Sequence, residues 1–189
     1  MKKSLYVSVF SISLLFFFCN RIVQAQPAET NSNTVNKPKN LPDFSLKDTE
    51  GNTISLADYK GKYLVLHIAT TWCPFCNAEA PNLEKLYKDY RDKNVDVLII
   101  DVKEDKKLVE ELLVKRFNLS FPVLLDVTGE VAARMAPADV LPDLSRDEVM
   151  LASNLLINPE GKILFFSLLD SKNFDAKLEA LKKVLDEQL

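Results

Sequence analysis

Three apolar stretches predict the strands at the centre of this chain. They cover residues 63–69, 95–102 and 121–126 and read YLVLHIA, VDVLIIDV and FPVLLD. Each is short and rich in β-branched or aromatic side chains, as expected for sheet residues. The first is a continuous apolar run apart from its histidine, which favours a strand that is buried on both faces. The second is predicted as another buried strand.

Between and after these strands, apolar residues return every three or four positions, which predicts amphipathic helices. The spacing is clearest where Leu83, Leu86, Tyr87 and Tyr90 share one face and charged residues fill the other. The predicted helices cover residues 74–93, 106–117, 129–135 and 173–189.

Two further pairs of strands are predicted as hairpins. One lies within residues 44–56 and turns at Gly51, and the other lies within 155–168 and turns at the NPEG segment 158–161. Residues 136–152 show no period and are expected to be irregular. This order predicts an α/β fold with a mixed central sheet flanked by helices and an N-terminal β-hairpin extension.

The first 25 residues have the three parts of a secretory signal. A basic start is followed by an apolar run as far as Cys19, and Val23 and Ala25 stand at the −3 and −1 positions of a cleavage site. The run is shorter than the roughly 20 apolar residues that span a membrane. Two alternatives stay open, an uncleaved anchor and a lipoprotein lipidated at Cys19, although the bulky Phe18 precedes that cysteine.

The chain therefore divides into three predicted segments. Residues 1–25 are a signal peptide, and residues 26–40, rich in Asn, Thr, Pro and Lys, are a flexible linker. Residues 41–189 form one domain that is long enough to bury a core. The signal predicts export to the periplasm or cell envelope, where disulfides persist. Only an uncleaved signal or a lipid on Cys19 would attach the protein to a membrane.

Composition narrows the function further. The 189 residues are 47% hydrophobic and 27% charged, with a formal net charge of −3. Because residues 1–25 hold three basic residues and no acidic ones, the net charge without them is −6. This balance disfavours nucleic acid as a partner. Three Cys and one His are too few for a multi-bridge scaffold or a His-rich zinc centre.

The candidate chemistry lies where the first buried strand meets the first helix, in the segment Thr71-Trp72-Cys73-Pro74-Phe75-Cys76. Two cysteines at i and i+3 of a helix start can reach disulfide geometry without distortion. The free N–H groups of that helix end should stabilise a thiolate on Cys73 and lower its pKa. Pro74 suits the first helical turn, where its missing N–H costs nothing.

Two other interpretations of the CxxC pair stay open. Half of a zinc site would need two more ligands, and the domain offers one His and no other Cys. An inert structural bridge would stabilise little, because it closes only a four-residue loop. A redox pair Cys73–Cys76 with no metal and no cofactor is favoured over both.

At these residues the chain resembles the thioredoxin superfamily, in particular the TlpA/ResA-type envelope thiol-disulfide oxidoreductases of bacteria. The resemblance covers residues 41–189 and rests on WCPFCNAEAP at 72–81, FPVLLD at 121–126 and LINPEGKI at 156–163. It implies a thioredoxin-like fold for the domain. It also implies that Cys73 is the attacking thiol and Cys76 the resolving one, joined as a disulfide in the oxidised enzyme.

The resemblance also assigns residues around the cysteines. Trp72, Pro74 and Phe75 would pack in the active site, and Pro81 would kink the active-site helix. The ring of Trp72 is also expected to provide a platform that faces the substrate. Ala152 stands where the family has a cis-proline whose neighbouring backbone holds the substrate cysteine, so we expect a trans peptide there.

Two groups are candidate proton acceptors for Cys76. His67 occupies the strand position where thioredoxins often carry a buried acid, and its alternative role is a core histidine bonded to backbone. Glu79 lies one turn beyond Cys76 on the helix, and its alternative is a solvated surface acid.

The function expected from these residues is dithiol-disulfide exchange, with protein disulfides as substrates, an upstream electron donor and a monomeric enzyme. One alternative is a peroxiredoxin-like thiol peroxidase. Thr70 fits the T-x-x-C part of that motif, but Leu66 stands where its proline should be. The other alternative is a non-catalytic thioredoxin-fold binding module.

Overall fold

The computed structural model of the protein describes residues 41–189. The predicted signal with Cys19 and the predicted linker 26–40 lie outside the described residues. Within the described range, seven strands form one sheet in the order β2-β1-β5-β4-β3-β6-β7. The strands are β1 Ser45–Asp48, β2 Thr53–Ser55, β3 Tyr63–Ala69, β4 Val95–Val102, β5 Val123–Asp126, β6 Ser153–Ile157 and β7 Ile163–Ser167.

The three central strands of the sheet are parallel and the strands on both sides of them are antiparallel, as the mixed-sheet prediction requires. Strand β4 runs parallel to β3 and to β5. Strand β6 runs antiparallel to β3, with Ile68 opposite Ser153 and His67 opposite Asn154. The carboxyl ends of β3, β4 and β5 therefore meet the start of β6 at one edge of the sheet.

The N-terminal hairpin extends this sheet. Strand β1 pairs antiparallel with β2 on one side and with β5 on the other. The turn is organised by Asp48, whose carboxylate accepts hydrogen bonds from the N–H groups of Glu50 and Asn52 at 2.9 and 2.8 Å. Gly51 completes the turn with φ 95°, a conformation that side chains disfavour.

Helices cover both faces of the sheet. They are α1 Pro74–Tyr90, α2 Lys106–Val109, α3 Glu130–Met135, α4 Arg146–Val149 and α5 Glu179–Asp186. Helices α1, α2 and α5 pack on the face that carries Val65, Ala69, Cys73 and Cys76. Helix α3 packs on the opposite face against Leu66 and Ile68. Among the described helices, none combines the length and apolar content that a bilayer crossing requires.

Three helices have bounds that differ from those predicted by the spacing of apolar residues. Helix α1 gives way to a 3-10 turn at Arg91–Lys93, and α2 continues as a π-helical segment at Glu110–Lys115. The closing helix starts at Glu179 rather than at residue 173. Leu178 has a left-handed backbone (φ 57°) that interrupts any helix before it, and Phe174 instead contacts the ring of Phe75 at 4.9 Å.

The segment 136–152 is not irregular throughout, which corrects the prediction. It contains α4, and Asp147 of that helix forms an ion pair of 2.7 Å with Lys103 from the loop after β4. Arg146 adds a hydrogen bond to the carbonyl oxygen of Val140 at 2.9 Å. The ion pair with the distant Lys103 and the local bond of Arg146 hold this short helix in place. The sequence did not predict it because its apolar residues show no helical period.

Candidate active site

The two cysteines lie at the start of α1, directly after the loop that follows β3. Cys73 is the N-cap residue, and its Sγ accepts a hydrogen bond of 3.3 Å from the backbone N–H of Cys76. Pro74 occupies the first helical turn, as predicted. Both cysteines are thiols and both are buried, at 4% and 1% exposure. The structure thus presents the reduced form of the pair, with Cys76 behind Cys73.

This geometry separates the pKa values of the two thiols. The pKa of Cys73 is lowered to about 6, mainly by a hydrogen bond from the thiol of Cys76 and less by one from the Cys76 backbone N–H. Burial opposes this lowering. The same bond and burial raise the pKa of Cys76 well above its usual range. At neutral pH Cys73 is therefore a thiolate and Cys76 a thiol, which is the charge state that exchange chemistry needs.

Glu104, which sequence analysis did not select, holds the loop before Cys73. Glu104 is buried and accepts hydrogen bonds from both the backbone N–H and the hydroxyl of Thr71, at 2.5 and 2.7 Å. Asp101, at the end of β4, is 1% exposed, and burial followed by the charge of Glu104 raises its pKa to about 9. The segment that follows β4 thus supports the loop before Cys73.

The two candidate proton acceptors meet beneath the cysteines. Glu79 of α1 is 2% exposed, which excludes a solvated surface acid. Its Oε1 accepts a hydrogen bond of 2.7 Å from the side-chain amide of Asn154. His67 of β3 is fully buried, and its Nδ1 lies 2.9 Å from Asn154 Oδ1, 3.1 Å from Ser153 O and 3.6 Å from Glu79 Oε2. Asn154, which sequence analysis did not select, links the two candidates.

Burial keeps both candidates neutral near pH 7. It raises the pKa of Glu79 to about 8 and lowers the pKa of His67 to about 4. Because both nearest partners of His67 Nδ1 are oxygen acceptors, Nδ1 carries the hydrogen and the lone pair lies on Nε2, which is buried without a hydrogen-bond partner. His67 therefore combines the backbone bond of a core histidine with a side-chain link toward Glu79.

Comparison with known proteins places this site in a family. A family model described as AhpC/TSA matches residues 38–166, which is more than half of the chain. The chain belongs to the AhpC/TSA family. It is 31% identical over 158 residues to the thiol-disulfide oxidoreductase ResA of Bacillus thuringiensis, covering 82% of this chain and 84% of that relative.

Two further relatives of this AhpC/TSA chain are informative. The crystal structure of a secreted Mycobacterium tuberculosis disulfide oxidoreductase homologous to E. coli DsbE superposes with a TM-score of 0.61 at 25% identity, covering 76% of this chain and 95% of that one. A Mesembryanthemum crystallinum protein named as a phospholipid hydroperoxide glutathione peroxidase is 33% identical over 111 residues, covering 54% of this chain and 65% of the relative. The thioredoxin-like fold is thereby confirmed, and the chain is a ResA-like redox enzyme rather than a non-catalytic binding module.

Not every side chain that the resemblance placed in the active site packs there. Trp72 is 66% exposed, so its ring is not packed in the interior and instead forms surface beside Cys73. Phe75 is half-buried against Phe174 in an edge-to-face contact. Pro81 lies inside α1, where its ring provides no N–H for the carbonyl four residues earlier. Pro74 and Pro81 are both exposed.

At the position of the family's cis-proline the chain has a different backbone. Every peptide bond within residues 41–189 is trans, which includes the bond before Ala152, as expected. Ala152 takes a left-handed conformation with φ 58°, and its N–H donates to the carbonyl oxygen of Ile68 at 2.9 Å. A proline could adopt neither feature, because its φ is fixed near −65° and it has no N–H.

Proposed function

We propose that this protein reduces protein disulfides in the cell envelope by dithiol-disulfide exchange through Cys73 and Cys76. The observation that carries the proposal is the bond from the Cys76 N–H to Cys73 Sγ at the start of α1, which favours a thiolate on Cys73. The secretory pattern of residues 1–25 supports export. A protein that acts alone as a monomer, without metal or cofactor, is sufficient for this chemistry.

The reaction proceeds in two exchanges. The Cys73 thiolate attacks one sulfur of the substrate disulfide, forms a mixed disulfide and releases the other sulfur as a thiolate. Cys76 then loses its proton and attacks Cys73 Sγ, which releases the second substrate thiol and leaves a Cys73–Cys76 disulfide. The enzyme has given up two electrons, and an upstream dithiol donor restores them by the reverse exchange.

The ionised form of Glu79, whose share grows as the pH rises toward 8, is the proposed acceptor for the Cys76 proton. Its negative charge contributes to the raised pKa of Cys76, so the two groups are close enough to interact. A carboxyl whose pKa of about 8 lies near the working pH is well suited to exchange protons. His67, with its pKa of about 4, is a weak acceptor at neutral pH, and its proposed role is to hold Asn154 against Glu79.

Insulin reduction tests the proposed activity. The reduced mature protein should precipitate insulin chains in the presence of a dithiol donor, Cys73→Ser should abolish the reaction, and Cys76→Ser should accumulate a mixed disulfide. A wild-type protein that leaves insulin intact while remaining fully reduced would contradict the proposal. A wild-type enzyme that oxidises reduced substrates faster than it reduces insulin would reverse the direction.

Peroxide reduction is the second candidate, and two observations favour testing it. A relative carries a glutathione peroxidase name, and Thr70, the threonine of the T-x-x-C pattern, has a buried hydroxyl without a hydrogen-bond partner. However, Leu66 is fully buried where that motif has proline. Peroxide consumption that depends on Cys73, with no insulin reduction, would establish this alternative.

A further inference from the structure

The turn that precedes β6 lies directly against the resolving cysteine. The N–H of Ala152 donates to the carbonyl oxygen of Ile68 at 2.9 Å, and Cys76 Sγ lies 3.9 Å from the same oxygen. Ala152 is 3% exposed and belongs to the same apolar cluster as both cysteines. This turn is therefore the backbone that a substrate approaching the cysteine pair meets beside α1.

Every backbone N–H of this turn already has an acceptor within the chain. Leu151 donates to Glu148 O at 3.2 Å, Ala152 to Ile68 O, and Ser153 to Met150 O at 2.9 Å. The first and third bonds continue the turn of α4, and the left-handed Ala152 redirects the chain from that turn into β6. The segment is thus a closed turn rather than an open strand edge.

A closed turn changes how a substrate can be held. An extended peptide that adds to a protein as a strand needs free N–H groups and carbonyl oxygens on the receiving edge. Breaking the bond of Ala152 or of Ser153 to provide a donor would deprive a carbonyl of a fully buried residue, Ile68 or Met150, of that partner. A peptide that takes a hydrogen bond from one of these N–H groups therefore replaces a bond that the turn already makes, at no net gain.

We infer that this enzyme accepts its disulfide substrate without hydrogen bonds donated by the backbone N–H groups of residues 151–153. The inference rests on the proposed function only in taking a disulfide as the substrate. Selection then depends on the disulfide itself and on side-chain contacts, for which the exposed indole of Trp72 beside Cys73 is available. The substrate class includes low-molecular-weight disulfides. These should react as fast as peptide disulfides that have the same leaving thiol.

Amide hydrogen exchange tests the inference directly. The complete mature protein with the substitution Cys76→Ser is used. Its Cys73 is joined by a disulfide to a cysteine peptide that has been chemically activated for exchange, so the complex forms without catalytic turnover. The amides of 151–153 should be protected in the free reduced variant, and their exchange rates should change less than about threefold in the complex. Rapid exchange in the free variant that becomes slow only in the complex would overturn the inference.

Kinetics with matched substrates give a second, independent readout. Two disulfides with the same leaving thiol are compared, one carrying an N-acetyl cysteine tripeptide amide and one carrying cysteamine. Second-order rate constants for the wild-type enzyme should agree within about threefold, whereas a preference of tenfold or more for the peptide would refute the inference. Loss of insulin reduction with equal rates for both small substrates would instead count against the proposed protein substrate alone.

Discussion

The N–H of Ala152 and the thiol of Cys76 lie against one acceptor, the carbonyl oxygen of Ile68, at 2.9 and 3.9 Å. The strand β3, the helix α1 and the turn before β6 therefore meet at a single oxygen atom. Because a proline at 152 would remove the shorter of these two contacts, the residue type at this position and the setting of the resolving thiol are coupled.

Substitutions of Ala152 should separate conformation from hydrogen bonding. Ala152→Gly keeps the N–H and removes the cost of roughly 1–2 kcal/mol that a side chain has in the left-handed region. It also adds a cost of about 0.5–1 kcal/mol, because glycine loses more conformational entropy on folding. We expect the free energy of unfolding to rise slightly. Ala152→Pro should lower it by about 3 kcal/mol, because φ 58° and the bond to Ile68 are both lost. Urea unfolding of the reduced proteins measures both, and a proline variant as stable as wild type would contradict the analysis.

The pH at which Cys73 becomes reactive should depend on the donor at position 76. In the wild type, alkylation of Cys73 by iodoacetamide should rise with pH around a midpoint near 6. Cys76→Ala keeps the backbone N–H but removes the thiol donor, so its midpoint should move upward. Cys76→Ser retains a donor and should stay closer to the wild type. Equal midpoints in the two variants would show that the side chain at 76 does not stabilise the thiolate.

Glu79 should make the protein less stable as pH rises. Its pKa of 4.5 in the unfolded chain becomes about 8 in the fold, so between these values the folded state holds a proton that the unfolded state has lost. Stability is therefore lost across that window, and Glu79→Gln should exceed the wild type by at least about 1 kcal/mol at pH 8, with the difference vanishing below pH 4.5.

The exposed Asp89→Asn provides the matched control for loss of one negative charge in the same helix. Urea unfolding of the three reduced proteins at pH 4.5, 6 and 8 measures the effect. A Glu79→Gln variant that tracks the Asp89→Asn control at every pH would contradict the raised pKa.

His67→Asn should identify which group receives the proton of Cys76. In the wild type the rate of substrate release from the mixed disulfide should show a pH midpoint near 8 from Glu79. We expect His67→Asn to keep this midpoint and Glu79→Gln to abolish it. Stopped-flow measurement of product release from pH 5 to 9 makes the comparison. Loss of the midpoint in His67→Asn alone would assign the proton transfer to the imidazole.

Glu104 should stabilise the loop before the nucleophile. Glu104→Gln leaves one acceptor oxygen for two Thr71 donors, so we expect a loss of about 1–2 kcal/mol in the free energy of unfolding. Glu111→Gln, which alters an exposed ion pair with Lys115, is the matched control and should change little. Thermal unfolding of the reduced variants compares them, and equal effects would remove Glu104 from this role.

Local sequence patterns were sufficient to predict the central strand β3 and the helix α1 that follows it. The continuous apolar run of β3 and the three-to-four spacing of α1 correctly placed the strand-to-helix junction that carries Cys73. The lowered pKa of Cys73 also followed in direction from its position at a helix start. The Cys76 thiol makes the larger contribution to this lowered pKa, and it could not be predicted because it depends on how close the two side chains come.

Contacts between distant segments account for what the sequence did not predict. Asn154 joins His67 to Glu79 only because β6 pairs with β3 beneath α1. Glu104 is drawn inward by Thr71, 33 positions away in the sequence, although it stands in a run of charged residues. Trp72 shows the reverse, because its large ring is exposed beside the cysteines although aromatic side chains of this size are usually mostly buried.

The N-terminal hairpin bears on the solubility of shortened forms of the protein. Without β1, the strand β5 would become the border of the sheet, with unpaired backbone groups beside the apolar side chains of Val123 and Leu124. Such a border pairs readily with other chains, whereas the three-residue β2 that now ends this side is too short to do so well. A chain cut after Ser55 would therefore be prone to self-association even though both cysteines and their helix remain.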